Sequence, residues 1–218
     1  MPTRPTLYHC ADARSFRALW ALEELGLAYE LKLLPFPPRM LAPEYLKENP
    51  LGTIPLLVDG DTRMTESAAI VQYLATRDGP TILSVEPGDP AYGAWLNGLH
   101  FGEATLTFPQ TLVLRYTRLE PKERRNPQVA EDCGKWFIAR LRGLDGRLTT
   151  GDGDHYCGGR FTGADISVGY ALLLAETLGL SARFSPAVAA YWANLQTRDG
   201  FLAAKRAQTS VDTPTWAG

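Results

Sequence analysis

The stretch that decides the fold of this chain is residues 49–70, which read NPLGTIPLLVDGDTRMTESAAI. At its centre, residues 59–61 form the turn signal Asp-Gly-Asp between two β-rich runs, residues 56–58 and 62–64. This pattern predicts a β-hairpin, because short polar turns that contain glycine join antiparallel strands. Pro55 stands at the first residue of the first strand, where a sheet tolerates proline.

Both ends of this stretch can present backbone groups to a ligand. On the N-terminal side, a cis bond between Ile54 and Pro55 would turn the Ile54 N–H and C=O toward an extended ligand, whereas a trans bond would make an ordinary loop. On the C-terminal side, a helix is predicted to begin near Glu66 and Ser67, and its unpaired N–H groups attract a carboxylate. Glu66 can accept from an ammonium group, so an amino-acid-like ligand suits the pair. Ordinary helix capping is the alternative.

The residues before this stretch alternate strand and helix signals. Residues 6–9 are β-rich, and Ser15 is a typical N-cap for a helix that ends at Gly26. Residues 29–33 then alternate apolar and polar side chains, as a second strand does. A helix that joins two strands favours a parallel pair. A short helix near residues 43–47 follows, so we predict the order β-α-β-(α)-β-β-α.

The pattern changes after this module. Residues 79–90 are rich in glycine and proline and predict a linker between an α/β domain at 1–78 and an all-helical domain at 91–218. In the second domain, Thr162 and Asp165 have the spacing of a capping box. Its helices are predicted over residues 91–116, 127–148, 166–178 and 186–195.

Composition and charge exclude several classes of protein. The chain of 218 residues has a net charge of −2 and a pI near 5.9, which argues against a nucleic-acid-binding protein. No apolar run approaches the roughly 20 residues that span a bilayer, and no signal peptide is evident. Cys10, Cys133 and Cys157 are odd in number and widely spaced, so we predict no disulfide framework and expect a cytoplasmic location. The histidines show no metal-ligand spacing, and no metal site is predicted.

The ordered set NPLGTIP and TESAAI, behind a unit that ends EELGLAYEL, resembles the glutathione transferase family. The segment GGRFTGADISVGYAL is similar to the capped helix of that family's second domain, so the resemblance covers nearly the whole chain. It implies a thioredoxin-like domain that binds glutathione as a co-substrate, and an all-helical bundle domain that shapes a pocket for a small, hydrophobic electrophile. It also implies a homodimer with a role in detoxification.

The resemblance also implies roles for individual residues. Pro55 would be the cis-proline, and Ile54 would hydrogen-bond the cysteinyl backbone of glutathione. Glu66 and Ser67 would hold the γ-glutamyl end. Arg39, from its location alone, is a candidate partner for the glycyl carboxylate.

Glutathione must react as a thiolate, and a free thiol with a pKa near 8.5 is only about 3% ionised at pH 7. Lowering that pKa by about two units takes roughly 2.7 kcal/mol, most of which one charge-assisted hydrogen bond can supply. Ser15 is the first candidate donor, because it resembles the serine of bacterial members with a similar RSFR helix start. Arg14 stands where the bacterial beta class carries its cysteine, and can place positive charge beside the thiolate. Backbone N–H groups of residues 11–13 are a third possibility.

Three functions are compatible with the sequence. The leading hypothesis is conjugation of glutathione to an electrophilic carbon. If Cys10 were instead a redox residue, glutathione-dependent thiol-disulfide or peroxide reduction would replace conjugation. A non-catalytic scaffold or ligand carrier is the third. Phe101, Thr105 and Phe108 share one helix face and are the candidates for the electrophile pocket, although such a face more often belongs to the core.

Overall fold

The computed structural model describes residues 4–151 and 153–209, which form two compact units. The first unit comprises residues 4–84 and 196–209, and the second comprises residues 85–195. In chain order the strands are β1 (Thr6–His9), β2 (Glu30–Leu33), β3 (Leu56–Asp59) and β4 (Thr62–Met64). The helices are α1 (Phe16–Glu24), α2 (Pro38–Leu41), α3 (Ser67–Thr76), α4 (Tyr92–His100), α5 (Phe108–Leu114), α6 (Pro127–Thr150), α7 (Gly163–Thr177), α8 (Pro186–Gln196) and α9 (Asp199–Thr209).

The first unit contains a four-stranded sheet in the order β2-β1-β3-β4. β1 pairs parallel with β2 and antiparallel with β3, and β3 pairs antiparallel with β4. The predicted parallel pair and the predicted hairpin are both confirmed. Gly60, in the hairpin turn, has a φ of +58°, a conformation that glycine adopts readily. The predicted short helix near residues 43–47 is a 3₁₀ turn, Pro43–Lys47.

Helix α1 joins the two parallel strands and ends as the sequence predicts. Gly26 has a φ of +60°, and its N–H donates to the Glu23 carbonyl, while the N–H of Leu27 donates to the Leu22 carbonyl. These two bonds form a Schellman motif, which satisfies the last carbonyls of the helix. The side chain of Trp20 within α1 is fully buried.

The C-terminal helix α9 corrects the prediction that residues 186–195 form the last helix. α9 covers Asp199–Thr209 and lies in the first unit, where the ring of Phe201 meets those of Phe16 and Trp20 edge-on at 5.5 and 5.0 Å. Most of its other apolar residues are alanines. Because alanine contributes little to an apolar periodicity, the sequence pattern does not reveal this helix.

The second unit contains helices α4 to α8. The helix predicted over residues 91–116 is continuous from Tyr92 to Leu119, with π-helical segments at Phe101–Thr107 and Arg115–Leu119. In the first of these segments the hydroxyl of Thr107 donates to the Gly102 carbonyl, five residues earlier, at 2.7 Å. A Cβ built at Gly102 would lie 2.4 Å from the Ser167 carbonyl carbon, so glycine permits the close approach of α7 there.

The predicted capping box at the start of α7 is confirmed. The Thr162 N–H donates to Asp165 Oδ2 at 2.8 Å, and the Thr162 hydroxyl accepts from the Ala164 N–H at 3.2 Å. Asp165 is fully buried and its Oδ1 also accepts from the Tyr156 N–H and the Tyr191 hydroxyl, at 2.7 and 2.8 Å. One carboxylate therefore joins the loop before α7 to α8. No helix in the described part of the chain is both long enough and apolar enough to cross a membrane.

Candidate active site

Three segments of the first unit meet at one end of its sheet. In the hairpin, Leu57 pairs with Met64, so Ile54 and Ser67 lie three residues beyond this pair, at the same end. β1 runs antiparallel to β3, which brings the turn at residues 10–15, after β1, to that end as well. The topology thus collects all the segments that the sequence analysis singled out in this domain.

The backbone before Pro55 is held by two buried side chains. The Ile54-Pro55 bond is cis, as predicted. The carbonyl of Thr53 accepts from Asn49 Nδ2 at 2.8 Å and from the Tyr45 hydroxyl at 2.7 Å. These two bonds fix the direction of the chain as it reaches Ile54. Sequence reasoning missed Tyr45, because its partner is a backbone carbonyl eight residues away.

Arg39 is an exposed residue of α2, next to the turn that leads to Ile54. A Cβ built at Gly52 would lie only 2.7 Å from the Arg39 Cβ, and Gly52 has a φ of +62°. The close approach of the two backbones therefore requires glycine. It places Arg39 beside the segment predicted to bind the ligand backbone.

Ser67 is the first residue of α3 and is buried, whereas Glu66 before it is exposed. Arg17 of α1 is fully buried, and its Nη1 donates to Ser67 Oγ at 3.2 Å. A guanidinium beside a helix N-terminus adds to its positive potential, which favours a bound carboxylate. Sequence reasoning missed Arg17, because only the packing of α1 on α3 brings it to Ser67.

Ser15 occupies the N-cap position of α1, as predicted, but its side chain makes no capping hydrogen bond. Ser15 already has helical backbone angles, φ −62° and ψ −15°, whereas a typical N-cap is extended. Its hydroxyl is fully buried and points back to β1, where it lies 2.7 Å from His9 Nδ1 and accepts from the Cys10 N–H at 3.3 Å. The hydroxyl is therefore part of the protein interior.

His9 connects Ser15 to the C-terminal helix. His9 Nε2 lies 3.1 Å from Gln208 Oε1. Gln208 in turn accepts from the Asp12 N–H at 3.1 Å and donates to Asp12 Oδ1 at 2.6 Å, and Lys205 Nζ donates to Asp12 Oδ1 at 2.7 Å. Burial lowers the pKa of His9 to about 4, so its ring is neutral at pH 7. We call this set the His9 network; its members are Ser15, His9, Gln208, Asp12 and Lys205.

Cys10 does not have the properties of a redox cysteine. Its side chain is fully buried, and its Sγ donates to the Pro35 carbonyl at 3.6 Å. Burial raises the pKa of the Cys10 thiol to about 12. Because the thiolate is the reactive form and must be accessible, these features do not favour a mixed disulfide at Cys10.

Arg14 contributes the one cationic side chain of the turn at residues 10–15. It is half-buried, and its Nε atom is buried. The preceding residue, Ala13, packs in the same buried cluster as Ile54. Arg14 therefore directly follows a residue that shares a buried cluster with Ile54. In the described ranges, 4–151 and 153–209, no group of three or more His, Cys, Asp or Glu side chains is placed to hold a metal ion.

Similarity to known proteins agrees with this geometry. Residues 13–77 match the family model described as glutathione S-transferase, N-terminal domain. The chain is 27% identical over 180 residues to Glutathione S-transferase 3 of Schizosaccharomyces pombe, a match that covers 78% of this chain and 74% of that protein. Its structure is similar to that of the glutathione transferase URE2P6 from Phanerochaete chrysosporium in complex with oxidized glutathione, with a TM-score of 0.81, 28% identity and coverage of 95% and 97% of the two chains. The chain thus contains the N-terminal domain of the glutathione S-transferase family at residues 13–77 and is similar to glutathione transferases over most of its length.

Another relative is similar to this chain over a shorter region. The chain is 41% identical over 95 residues to a maleylacetoacetate isomerase of Rhizobium meliloti. That match covers 41% of this chain and 43% of the isomerase. This likeness extends over less than half of either protein.

The residues that the sequence suggested for the electrophile pocket of a glutathione S-transferase lie in the second unit. The ring of Phe101 packs 6.1 Å from that of Tyr156. Phe108 is half exposed and meets Trp136 edge-on at 6.0 Å, and Thr105 is partly buried. Phe101 and Phe108 thus have different aromatic neighbours, and a shared role toward an electrophile stays a prediction.

Proposed function

We propose that this protein binds glutathione at the sheet end described above, ionises its thiol and transfers the sulfur to an electrophilic carbon of a small hydrophobic compound. The observation that carries the proposal is the convergence of Ile54, Ser67 and the turn at residues 10–15. The complex of the Phanerochaete chrysosporium relative with oxidized glutathione supports the choice of ligand.

Each end of glutathione has a matching group in the first unit. The backbone of Ile54 suits the cysteinyl main chain. The N-terminus of α3, with Ser67 and the charge of Arg17 beside it, suits the γ-glutamyl carboxylate, and Glu66 suits the neighbouring ammonium. Arg39 is our proposal for the glycyl carboxylate.

We assign stabilisation of the thiolate to Arg14. The Ser15 hydroxyl is fully buried and hydrogen-bonded to His9, so its role is to hold the turn at residues 10–15 in place. A charge-assisted contact contributes about 1.5–3 kcal/mol, which lowers a thiol pKa by about one to two units. The thiol proton passes to solvent, and the thiolate then forms the carbon–sulfur bond as the bond to the leaving group breaks.

The reductase alternative depends on Cys10 and has a direct test. We expect Cys10→Ser to retain conjugation activity, because the thiol is buried and a serine hydroxyl can donate to the same Pro35 carbonyl. A spectrophotometric conjugation assay with a chlorinated nitrobenzene, compared with wild type, measures this. Loss of a glutathione-dependent reduction in Cys10→Ser, with no conjugation in either protein, would favour the reductase.

We also propose a cytoplasmic homodimer that acts in detoxification, with Phe101, Thr105 and Phe108 contacting the electrophile. The family resemblance supports the dimer and the role. The free thiols of Cys10, Cys133 and Cys157 suit a reducing compartment. Sedimentation velocity measures the dimer, and a single species at the mass of one chain would refute it.

The experiment that tests the proposed function is a titration of bound glutathione, followed by thiolate absorbance near ~240 nm. We expect a bound pKa clearly below about 8.5 in wild type. Ser15→Ala should raise it only in part, since Ser15 acts through the turn. A bound pKa equal to that of free glutathione would refute thiolate activation, and a scaffold or carrier would then be the better description.

A further inference from the structure

Helix α9 reaches the turn after β1 through two side chains, Lys205 and Gln208. Both donate to the same oxygen of Asp12, at 2.7 and 2.6 Å. Asp12 has a φ of +52°, in the left-handed region that residues with a Cβ rarely adopt. The Asp12 N–H also donates to Gln208, at 3.1 Å. The unusual backbone of Asp12 is thus held at its N–H and its carboxylate by one glutamine.

The same glutamine determines the tautomer of His9. Gln208 Nε2 faces the Asp12 carboxylate and Gln208 Oε1 faces the Asp12 N–H, which fixes the orientation of the amide. His9 Nε2, which lies 3.1 Å from Gln208 Oε1, must therefore carry the hydrogen. In a neutral imidazole the other nitrogen, Nδ1, then accepts, so the Ser15 hydroxyl donates to it at 2.7 Å.

We propose that Gln208 and Lys205 are positioning residues for the thiol-activating turn, acting from helix α9. They keep Asp12 in its left-handed conformation and His9 in the Nε2–H tautomer, so that the Ser15 proton is turned inward and the turn that carries Arg14 keeps its shape. The inference rests on the proposed function for its effect on glutathione. Its tautomer component does not depend on glutathione.

The tautomer is tested on the full chain without ligand, by long-range ¹H–¹⁵N NMR of protein labelled at its histidines. The His9 signals are those absent from His9→Gln. We expect Nε2 to be protonated and Nδ1 unprotonated at pH 7. In Gln208→Leu this preference should be lost. A wild-type spectrum with the proton on Nδ1 would overturn the inference, whatever the enzyme does with glutathione.

The positioning role is tested with Gln208→Leu and Lys205→Met, and with Arg206→Gln as a matched control on the exposed side of α9. We expect Gln208→Leu to raise the pKa of bound glutathione by about one unit, which lowers the thiolate fraction, and with it kcat, about five- to tenfold at pH 6.5. The KM for glutathione should change less than about twofold, because the glutathione contacts of Ile54 and Ser67 remain. Lys205→Met should shift the pKa in the same direction by less, and Arg206→Gln not at all.

A double mutant separates positioning from general destabilisation. If Ser15 and Gln208 act through the same chain of hydrogen bonds, Ser15→Ala combined with Gln208→Leu should shift the thiol pKa no more than the stronger single change. Additive shifts, or an unchanged pKa in both Gln208→Leu and Lys205→Met, would overturn the positioning role. Should Gln208→Leu fail to fold, the pKa of glutathione bound to Lys205→Met still tests the positioning role, because Lys205 is partly exposed. A wild-type thiol pKa equal to the free value would refute the proposed function and the positioning role together, while the NMR result stands by itself.

Discussion

At the scale of single residues, the chemistry of the site depends on the position of one proton. The Ser15 hydroxyl has one hydrogen, and at 2.7 Å from His9 Nδ1 that hydrogen is committed to the histidine. Ser15 therefore has no second hydrogen for a thiolate. The neighbouring Arg14 can supply positive charge in any protonation state of His9.

Substitution of Arg14 tests this division of roles. We expect Arg14→Gln to raise the pKa of bound glutathione by about one unit, since it removes a charge-assisted contact worth about 1.5 kcal/mol. Arg14→Lys keeps the charge and is the matched control, with a smaller shift. Thiolate absorbance of the bound ligand measures both. Equal pKa values in wild type and Arg14→Gln would exclude Arg14 as the thiolate partner.

His9 predicts a pH dependence of stability. Burial is the main cause that lowers its pKa to about 4, while Asp12 opposes the shift and Lys205 adds to it. Between pH 6.5 and 4 the unfolded chain binds more protons at His9 than the folded protein does. The contribution of the buried neutral ring to the free energy of unfolding is therefore complete above about pH 6.5 and is lost as the pH falls toward 4. The loss amounts to about 3 kcal/mol.

Urea unfolding at pH 7 and at pH 4.5 measures this contribution. The free energy of unfolding should fall more steeply with decreasing pH in wild type than in His9→Gln, which has no titrating ring. His155→Gln is a control, because that histidine lies in the second unit. The same pH dependence in wild type and His9→Gln would show that His9 is not buried in the neutral form.

At the scale of elements, the site lies at the end of the sheet where β1 ends, β3 begins and β4 ends. The register of β3 and β4 brings Ile54 and Ser67 to the same end of the sheet, and the pairing of β1 with β3 adds the turn that carries Arg14. Each of these elements is short, three or four residues per strand. Their relative placement therefore depends on the helices that cover the sheet.

Helix α9 is one of these helices, and its main anchor is Phe201. The ring is buried against Phe16 and Trp20 of α1, and Arg198 beside it forms two hydrogen bonds with Glu24, both at 2.8 Å. We expect Phe201→Ala to lower the free energy of unfolding by about 3–5 kcal/mol, the usual cost of removing a buried aromatic ring.

The adjacent residue provides the control for this change. Leu202 lies on the same helix and is 41% exposed, so Leu202→Ala should cost less than about 1 kcal/mol. Guanidinium unfolding followed by tryptophan fluorescence measures both variants. Similar costs for the two substitutions would show that α9 does not depend on its contact with α1.

At the scale of the whole molecule, the chain leaves the first unit after residue 84 and returns to it at residue 196. The first unit therefore lacks α9 until the second unit has been synthesised. Since α9 holds the turn that carries Arg14, the proposed thiolate site forms only after α9 has been synthesised.

Binding of glutathione should stabilise the whole protein by mass action. At a concentration one hundred times the Kd, the gain is about 2.7 kcal/mol, which raises Tm by roughly 5–10 °C for a chain of this size. Differential scanning calorimetry with glutathione, and with cysteine as the control ligand, measures the shift. An identical Tm with the two compounds would contradict a site for the whole tripeptide.

The features that depend on a few neighbouring residues could be predicted from the amino-acid sequence alone. The Asp59-Gly60-Asp61 hairpin, the glycine that ends α1 and the Thr162–Asp165 capping box are all confirmed. Each rests on backbone preferences and pairings between residues at most seven positions apart, so the local pattern contains the necessary information. The family resemblance was likewise visible in ordered motifs.

The partners of the site residues could not be predicted, because they depend on how the elements pack. His9 and Gln208 are 199 positions apart, and Arg17 and Ser67 are 50 apart. A hydrogen bond has a range of about 3 Å, so these pairs exist only once α9 and α3 have packed on α1. Ser15 shows the difference most directly. Its residue type and position suit an N-cap, but its hydroxyl hydrogen-bonds the buried imidazole of His9 and not the backbone N–H groups of α1.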